Sequence, residues 1–222
     1  MQRRNLIVDQ KDRSDVMTPL TEERGQKGAY MEIKEAIYGR RSIRKYKDTP
    51  LKKEEVAEII AAGMAAPSGV NLQPWYFVVV QSEEAMEDVK EIMKEAAIAM
   101  VPSLKERFAK HPEVVKETEN FLLNLGHAPM CILAFLDKPG HKKAESTMIQ
   151  SVAAAIQNML LTAHGLGIGS CWMTAPLETG VDHKFQERFA PDKGDMIAMI
   201  TLGYPEEERT MPRRKPNRFE IV

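Results

Sequence analysis

Cysteine is scarce in this 222-residue chain: there are two, Cys131 and Cys171, 40 positions apart. That spacing leaves no CxxC motif and no zinc pair. Apolar neighbours on both sides make each a buried, reduced thiol rather than half of a disulfide. Long hydrophobic runs are missing as well. No uncharged apolar stretch reaches about 18 residues, so no membrane span is expected. The opening MQRRNLIVDQKDRSD is too poor in apolar residues for a secretory signal, and the expected compartment is the cytoplasm. A charge excess of one sign is the third absence, since 31 Lys and Arg stand against 32 Asp and Glu for a net −1. Dedicated nucleic-acid and membrane-surface proteins ordinarily carry a large basic excess, so neither partner is expected, although local basic patches remain open. What is present, 43% apolar and 28% charged residues, describes a soluble globular chain. This length suits one domain, or one domain with an extension, that buries roughly 70% of its unfolded surface.

Residues 1–30 mix charge, Gly and Pro without period and read as an N-terminal arm, with a disordered tail as the alternative. From Met31 the pattern is regular. Helices are predicted at 31–39, closed by Gly39, and at 51–66, stopped by Pro67-Ser68-Gly69. Others run from the Ser82 cap toward Met100, over 144–164 and over 178–189. Strands are predicted at 74–80, rich in aromatic and β-branched residues, at 129–136, 170–174 and 196–202, and briefly at 219–222. Residues 101–126 read as a polar helical region punctuated by Pro102 and Pro112, a mobile cover. The helix over 144–164 is apolar on nearly every face and belongs at the centre. Strands separated by helices describe an α+β layered domain with a small central sheet.

Two basic runs break the overall neutrality. Arg40-Arg41-Ser42-Ile43-Arg44-Lys45-Tyr46-Lys47 holds five cations, and Arg209, Arg213, Arg214, Lys215 and Arg218 make a second five. Arginine suits phosphate because its planar fork gives paired, charge-assisted hydrogen bonds. Alone, each run is equally a solvated surface stretch. Between them lies Ala65–Trp75, where a helix breaks at Pro67 and a small-residue loop offers backbone N–H groups with Ser68, Asn71 and Gln73. Such a loop can approach a flat polar ligand closely; an ordinary helix-to-strand turn is the alternative. Trp75 reads as core rather than as a ligand stack, and His127 and His164 as structural or surface residues.

Arg40–Tyr46 followed by Ala66–Trp75 resembles the opening of the FMN-dependent nitroreductase superfamily. The Gly165–Trp172 stretch, the Gly203-Tyr204-Pro205 corner and the Arg213-Arg214-Lys215-Pro216 segment are similar to later motifs of that family, in the same order. The resemblance covers roughly residues 31–222. It implies an α+β, nitroreductase-like layered fold whose small, mostly antiparallel sheet is flanked by helices, in an intertwined homodimer with FMN at the interface. Carried over by position, it implies that Arg40, Arg41 and Ser42 lie along the phosphate and ribityl chain, with Arg214 joining the phosphate. Arg44 falls near N1 and the C2 carbonyl. Met173, Thr174 and Ala175 border the N5 edge. Pro67, Ser68, Gly69, Asn71 and Gln73 match the loop that the partner subunit supplies. The implied chemistry is ping-pong hydride transfer from NADH or NADPH to nitroaromatics, quinones or similar electron-poor small aromatics. No side-chain acid or base and no metal is required.

Departures narrow the acceptor. Relatives that remove iodine from tyrosines carry a lid with an acid, a tyrosine and a lysine, and a hydroxyl side chain before the Pro that matches Pro176. Here that position is Ala175 and residues 82–129 hold no tyrosine, which argues against deiodination. Nothing diagnostic of the oxygen-dependent breakdown of FMN to a cobalamin ligand stands out. Residues 100–126, with Phe108, Phe121 and Leu122, are the expected acceptor-facing cover, or else an amphipathic surface helix. A dedicated reductase or dehalogenase with a non-nitro acceptor is the alternative, and a non-enzymatic phosphate- or nucleic-acid-binding domain a third reading.

Overall fold

The computed structural model describes residues 31–138 and 145–222; the expected arm at 1–30 and the predicted helix start at Ala144 lie outside them. Seven helices and four strands are described in chain order: α1 Ile33–Gly39, α2 Lys53–Met64, β1 Trp75–Val80, α3 Glu83–Arg107, α4 Pro112–Asn124, β2 Met130–Leu136, α5 Glu145–Gly165, β3 Gly169–Met173, α6 Ala175–Thr179, α7 Asp182–Phe189 and β4 Met196–Gly203. The strands form one sheet in the order β1-β2-β4-β3, and every pairing is antiparallel. The expected α+β layered fold is therefore present.

Both faces of the sheet are covered, which is why β2 and β4 are apolar without alternation. Cys131, Leu133 and Phe135 of β2 face one cluster, shared with Met93 and Ala97 of α3 and Phe185 of α7. Met130, Ile132, Ala134 and Leu136 face the other, shared with Ile59 of α2 and Val152, Ile156 and Met159 of α5. α5 is the central helix the pattern predicted. Cys131 and Cys171 are free and buried; burial pushes the Cys131 thiol up to about 12, leaving it protonated and inert.

Three local expectations fail. Pro102 does not end a helix, because α3 runs through it to Arg107. A mid-helix proline crowds the carbonyl four residues back, here that of Ile98, whose 74% exposure puts the break on the solvent side. The helix predicted over 178–189 is two, because Gly180 at φ 73 caps α6 in the left-handed region and turns the chain into α7. Residues 219–222 form no strand, and Phe219, Ile221 and Val222 are exposed. Among the described residues no helix is long and apolar enough to cross a membrane.

Candidate functional site

β3 ends the sheet, and the segment leaving α1 lies along its free side. Ser42 bridges Ser170 in parallel, and the Ile43 N–H donates to the Ser170 carbonyl at 3.0 Å. Tyr46 anchors the far end of the segment. Its N–H donates to the Gly126 carbonyl at 2.9 Å, and its hydroxyl donates to the Ile43 carbonyl at 2.5 Å. Burial pushes that hydroxyl well above an ordinary phenol, so it stays a neutral donor. On its other side the segment meets the chain leaving β4: Lys47 N–H donates to the Tyr204 carbonyl at 2.9 Å and Glu206 N–H to the Lys45 carbonyl at 3.0 Å.

This frame concentrates cations. Arg40 is held below the usual guanidinium value, first by burial and then by the Arg41 charge, with Cys171 opposing and the Arg214 charge adding the least. The charge of Arg214, from the second basic run, is thus felt at Arg40. Arg41 Nη1 donates to the Arg40 carbonyl at 2.6 Å, but Arg41 Nε is buried without a partner, and so is Ser170 Oγ. Among the described residues no carboxylate pairs with Arg40, Arg41 or Arg214. A cavity of about 400 Å³ opens there, lined by Arg40, Arg41, His164, Ser170, Glu207 and Arg209 among others.

Arg209 does not share this freedom. Its Nε donates to Glu207 Oε2 at 2.8 Å, and its Nη2 lies 2.7 Å from the same oxygen. Glu207 Oε1 accepts the Arg44 N–H at 2.6 Å, and the Arg44 guanidinium sits 5.9 Å from the Phe121 ring centroid. One cation of the second basic run is thus answered by an acid within the chain. Glu207 itself went unnoticed in the sequence, where the middle one of three acids after Tyr204-Pro205 carries no signal.

Met173, Thr174 and Ala175 lie at the other end of β3. Met173 and Ala175 are buried, and the exposed Thr174 hydroxyl donates to Glu178 Oε1 at 2.7 Å. A cavity of about 390 Å³ beside α6 is lined by Glu178 with Met100, Ser103, Leu104, Glu106 and Arg107 of α3. Part of the expected cover is thus at this end, but Phe121 and Leu122 are not. They are core residues, 7% and 3% exposed.

The loop of Pro67, Ser68, Gly69, Asn71 and Gln73 is elsewhere. The Gly69 N–H donates to Ser151 Oγ near the start of α5 at 3.4 Å, whereas His164 sits at its end, roughly 20 Å away along the axis. None of the five lines the Arg40 cavity. Ser68 Oγ accepts the Gln73 N–H at 3.0 Å, and Gln73 Nε2 donates to Asn71 Oδ1 at 3.0 Å. Val70, Asn71 and Gln73 all have positive φ, 47°, 57° and 48°, and Val70 is 99% exposed. A β-branched residue held left-handed in solvent is a strained feature of the kind that accompanies binding surfaces. Trp75, by contrast, is core, as expected.

The Nitroreductase family pattern matches residues 37–204. The chain belongs to the Nitroreductase family. A candidate NADH dehydrogenase/NAD(P)H nitroreductase of Methanothermobacter thermautotrophicus is 33% identical over 180 residues, 80% of this chain and 79% of that protein. Rat (Rattus norvegicus) iodotyrosine deiodinase 1 is 28% identical over 198 residues, 86% of this chain and 68% of that one. Among solved structures, a candidate nitroreductase of Desulfovibrio desulfuricans in complex with FMN is 27% identical with TM-score 0.62, covering 86% of this chain and 98% of that one. The donors of this nitroreductase-family chain fit such a cofactor. A phosphate brings three strong acceptor oxygens and negative charge, and Arg40, Arg41 and Arg214 supply cations that no described acid answers, with Arg41 Nε orphaned among them.

His164 belongs to this environment and not to the surface. Its imidazole is held below the ordinary value by burial and then by Arg40 and Arg41, with Glu35 opposing. The folded chain therefore binds this proton less readily than the unfolded one. The resulting stability is present above the unfolded value of about 6.5 and is lost as pH falls below it. The FMN-free protein is expected to lose stability between about pH 7 and pH 5.5, and His164→Asn to lose measurably less. Urea midpoints of both proteins at the two pH values check this; equal losses would remove His164 from the account.

Proposed function

We propose that this protein is an FMN-dependent oxidoreductase that takes a hydride from NADH or NADPH and passes electrons to nitroaromatics, quinones or similar electron-poor small aromatics. The observation that carries the reading is the group of Arg40, Arg41 and Arg214, none of them ion-paired to a described carboxylate, with the orphaned Ser170 Oγ in the same cavity as Arg40 and Arg41. Arg40, Arg41, Ser42 and Arg214 hold the phosphate and ribityl chain. Arg44 places a cation at the N1 and C2 side of the ring, where negative charge collects on reduction. Met173, Thr174 and Ala175 border the opposite edge. When bound, FMN supplies the hydride-accepting and hydride-donating chemistry, and the chain supplies orientation and charge.

The working unit is a homodimer. Pro67, Ser68, Gly69, Asn71 and Gln73 lie at the far end of α5 from the cations and serve the partner's site. Exposed Val70 and Leu72, with Ile33, Ile37 and Tyr38 of α1 at 69%, 51% and 65% exposure, are apolar residues that a second copy would cover. The mixed lining of Ser103, Arg107 and Glu178 beside α6 favours an acceptor with polar substituents, and the deiodinase relative makes a dedicated non-nitro acceptor the second reading.

The test is direct. Purified protein, loaded with FMN and desalted, is expected to keep a flavin spectrum at one FMN per chain, to bleach with NADH or NADPH under nitrogen, and to sediment as a dimer. Protein that stays colourless sinks the flavin reading. Rapid reoxidation by one non-nitro compound alone selects the dedicated acceptor.

A further inference from the structure

Of the two acids that line the Arg40 cavity, Glu207 and Glu208, Glu207 is the one bonded to the basic residues around it. Its side chain is 12% exposed, and both carboxylate oxygens are engaged, Oε1 by the Arg44 N–H and Oε2 by the Arg209 guanidinium. It therefore cannot turn away from either. On its carbonyl side residue 44 packs closely against Gly126, where an added Cβ would run into the Arg44 carbonyl oxygen. From this backbone the Arg44 side chain runs out across Phe121. The same carboxylate borders the cavity that holds Arg40 and Arg41.

We infer that Glu207 is the positioning residue of Arg44 and a charge counterweight within the cofactor site, keeping the potential of bound FMN low. The inference rests on the flavin reading above. Burial alone would raise the Glu207 carboxyl, but the Arg209 hydrogen bond, the Arg44 N–H and the Arg209 and Lys45 charges outweigh it, so the group is lowered and stays ionised. An ionised carboxylate beside Arg44 and Arg209 subtracts from the positive field there. Since two-electron reduction makes the flavin ring more negative, removing that carboxylate favours the reduced form.

The experiment compares FMN-loaded wild type, Glu207→Gln and Glu207→Ala by anaerobic equilibration with reference dyes, alongside FMN titration and melting curves. Glu207→Gln keeps an oxygen for the Arg44 N–H and loses the charge together with the oxygen that accepts from Arg209. It is expected to bind oxidised FMN within threefold of wild type while preferring reduced FMN about tenfold more, an upward shift of about 30 mV for a two-electron couple. Glu207→Ala is expected to shift likewise and also to lose about tenfold in affinity for oxidised FMN, because Arg44 is no longer held. A Glu207 that served stability alone would lower the melting temperature and leave the potential in place. A Gln variant whose preference moves less than threefold, or moves toward oxidised FMN, overturns the inference. Wild type that takes up no FMN overturns the flavin reading, and this inference with it.

Discussion

Arg40→Ala combined with Arg214→Ala is expected to abolish FMN retention through desalting without making the FMN-free protein less stable. The two effects have opposite signs for one reason. Burial withdraws water from the Arg40 guanidinium, Arg41 and Arg214 add repulsion, and no described carboxylate compensates. A partly buried cation without a partner is a cost to the fold, and Arg214 is exposed, so removing both does not weaken the empty protein. In the complex each arginine makes hydrogen bonds to a charged acceptor, worth about 1.5–3 kcal/mol apiece. Losing both is then about 3–6 kcal/mol, or roughly two to four orders of magnitude in Kd. Quenching of FMN fluorescence reads the affinity, and urea unfolding of the FMN-free protein reads the stability. Affinity within threefold of wild type would remove these residues from the phosphate. A large fall in apoprotein stability would show that the cations are answered by something else.

The second large effect lies at a residue that touches no ligand. Gly126 has φ +62, and a Cβ there would collide with the Arg44 carbonyl oxygen and crowd the Lys45 nitrogen. Gly126→Ala therefore meets two costs. The left-handed conformation costs about 1–2 kcal/mol for a residue with a Cβ, and forcing an atom into packed backbone costs about 1–3 kcal/mol more. The sum, about 2–5 kcal/mol, corresponds to a fall of roughly 5–15 °C in Tm for a chain of this size. The collision pushes on the segment that carries Arg40, Arg41 and Arg44, and it strains the Tyr46 N–H bond to the Gly126 carbonyl. FMN affinity should fall with Tm. Differential scanning calorimetry with and without FMN checks both, and a variant that melts within 2 °C of wild type, well under the shift expected, would show that the backbone yields freely.

Much of this architecture is legible in residue order because burial on both faces leaves an unambiguous signature. Ile132-Leu133-Ala134-Phe135 and Ile197-Ala198-Met199-Ile200 carry no polar residue, since each side chain meets one cluster or the other. Arg40 and Arg214 stood out as candidates for one anion through chemistry, from two basic runs in a neutral chain. Pro102 misled because proline was weighed without regard to which side of the helix it interrupts. Phe219-Glu220-Ile221-Val222 alternates as a strand does, but alternation does not supply a neighbour, and none pairs with it among the described residues. Glu207 was invisible for a different reason. Its role depends on residues 204–207 lying beside residues 44–47, a register set by tertiary contacts that no local period encodes. The loop at 67–73 was legible in composition and not in position, because its distance from the cations is set by the length of α5.

That distance has a consequence for mixtures. If the cations of one subunit and the Asn71 loop of the other complete each site, a chain lacking Arg40 and a chain lacking Asn71 are each inactive in both sites of their own dimers. Dissociated and reassociated together, they form hybrids in which both lesions fall on one site and the other is wild type. Two dead proteins would then complement each other in the tube, recovering up to about a quarter of full flavin content if subunits pair at random and each site needs both halves intact.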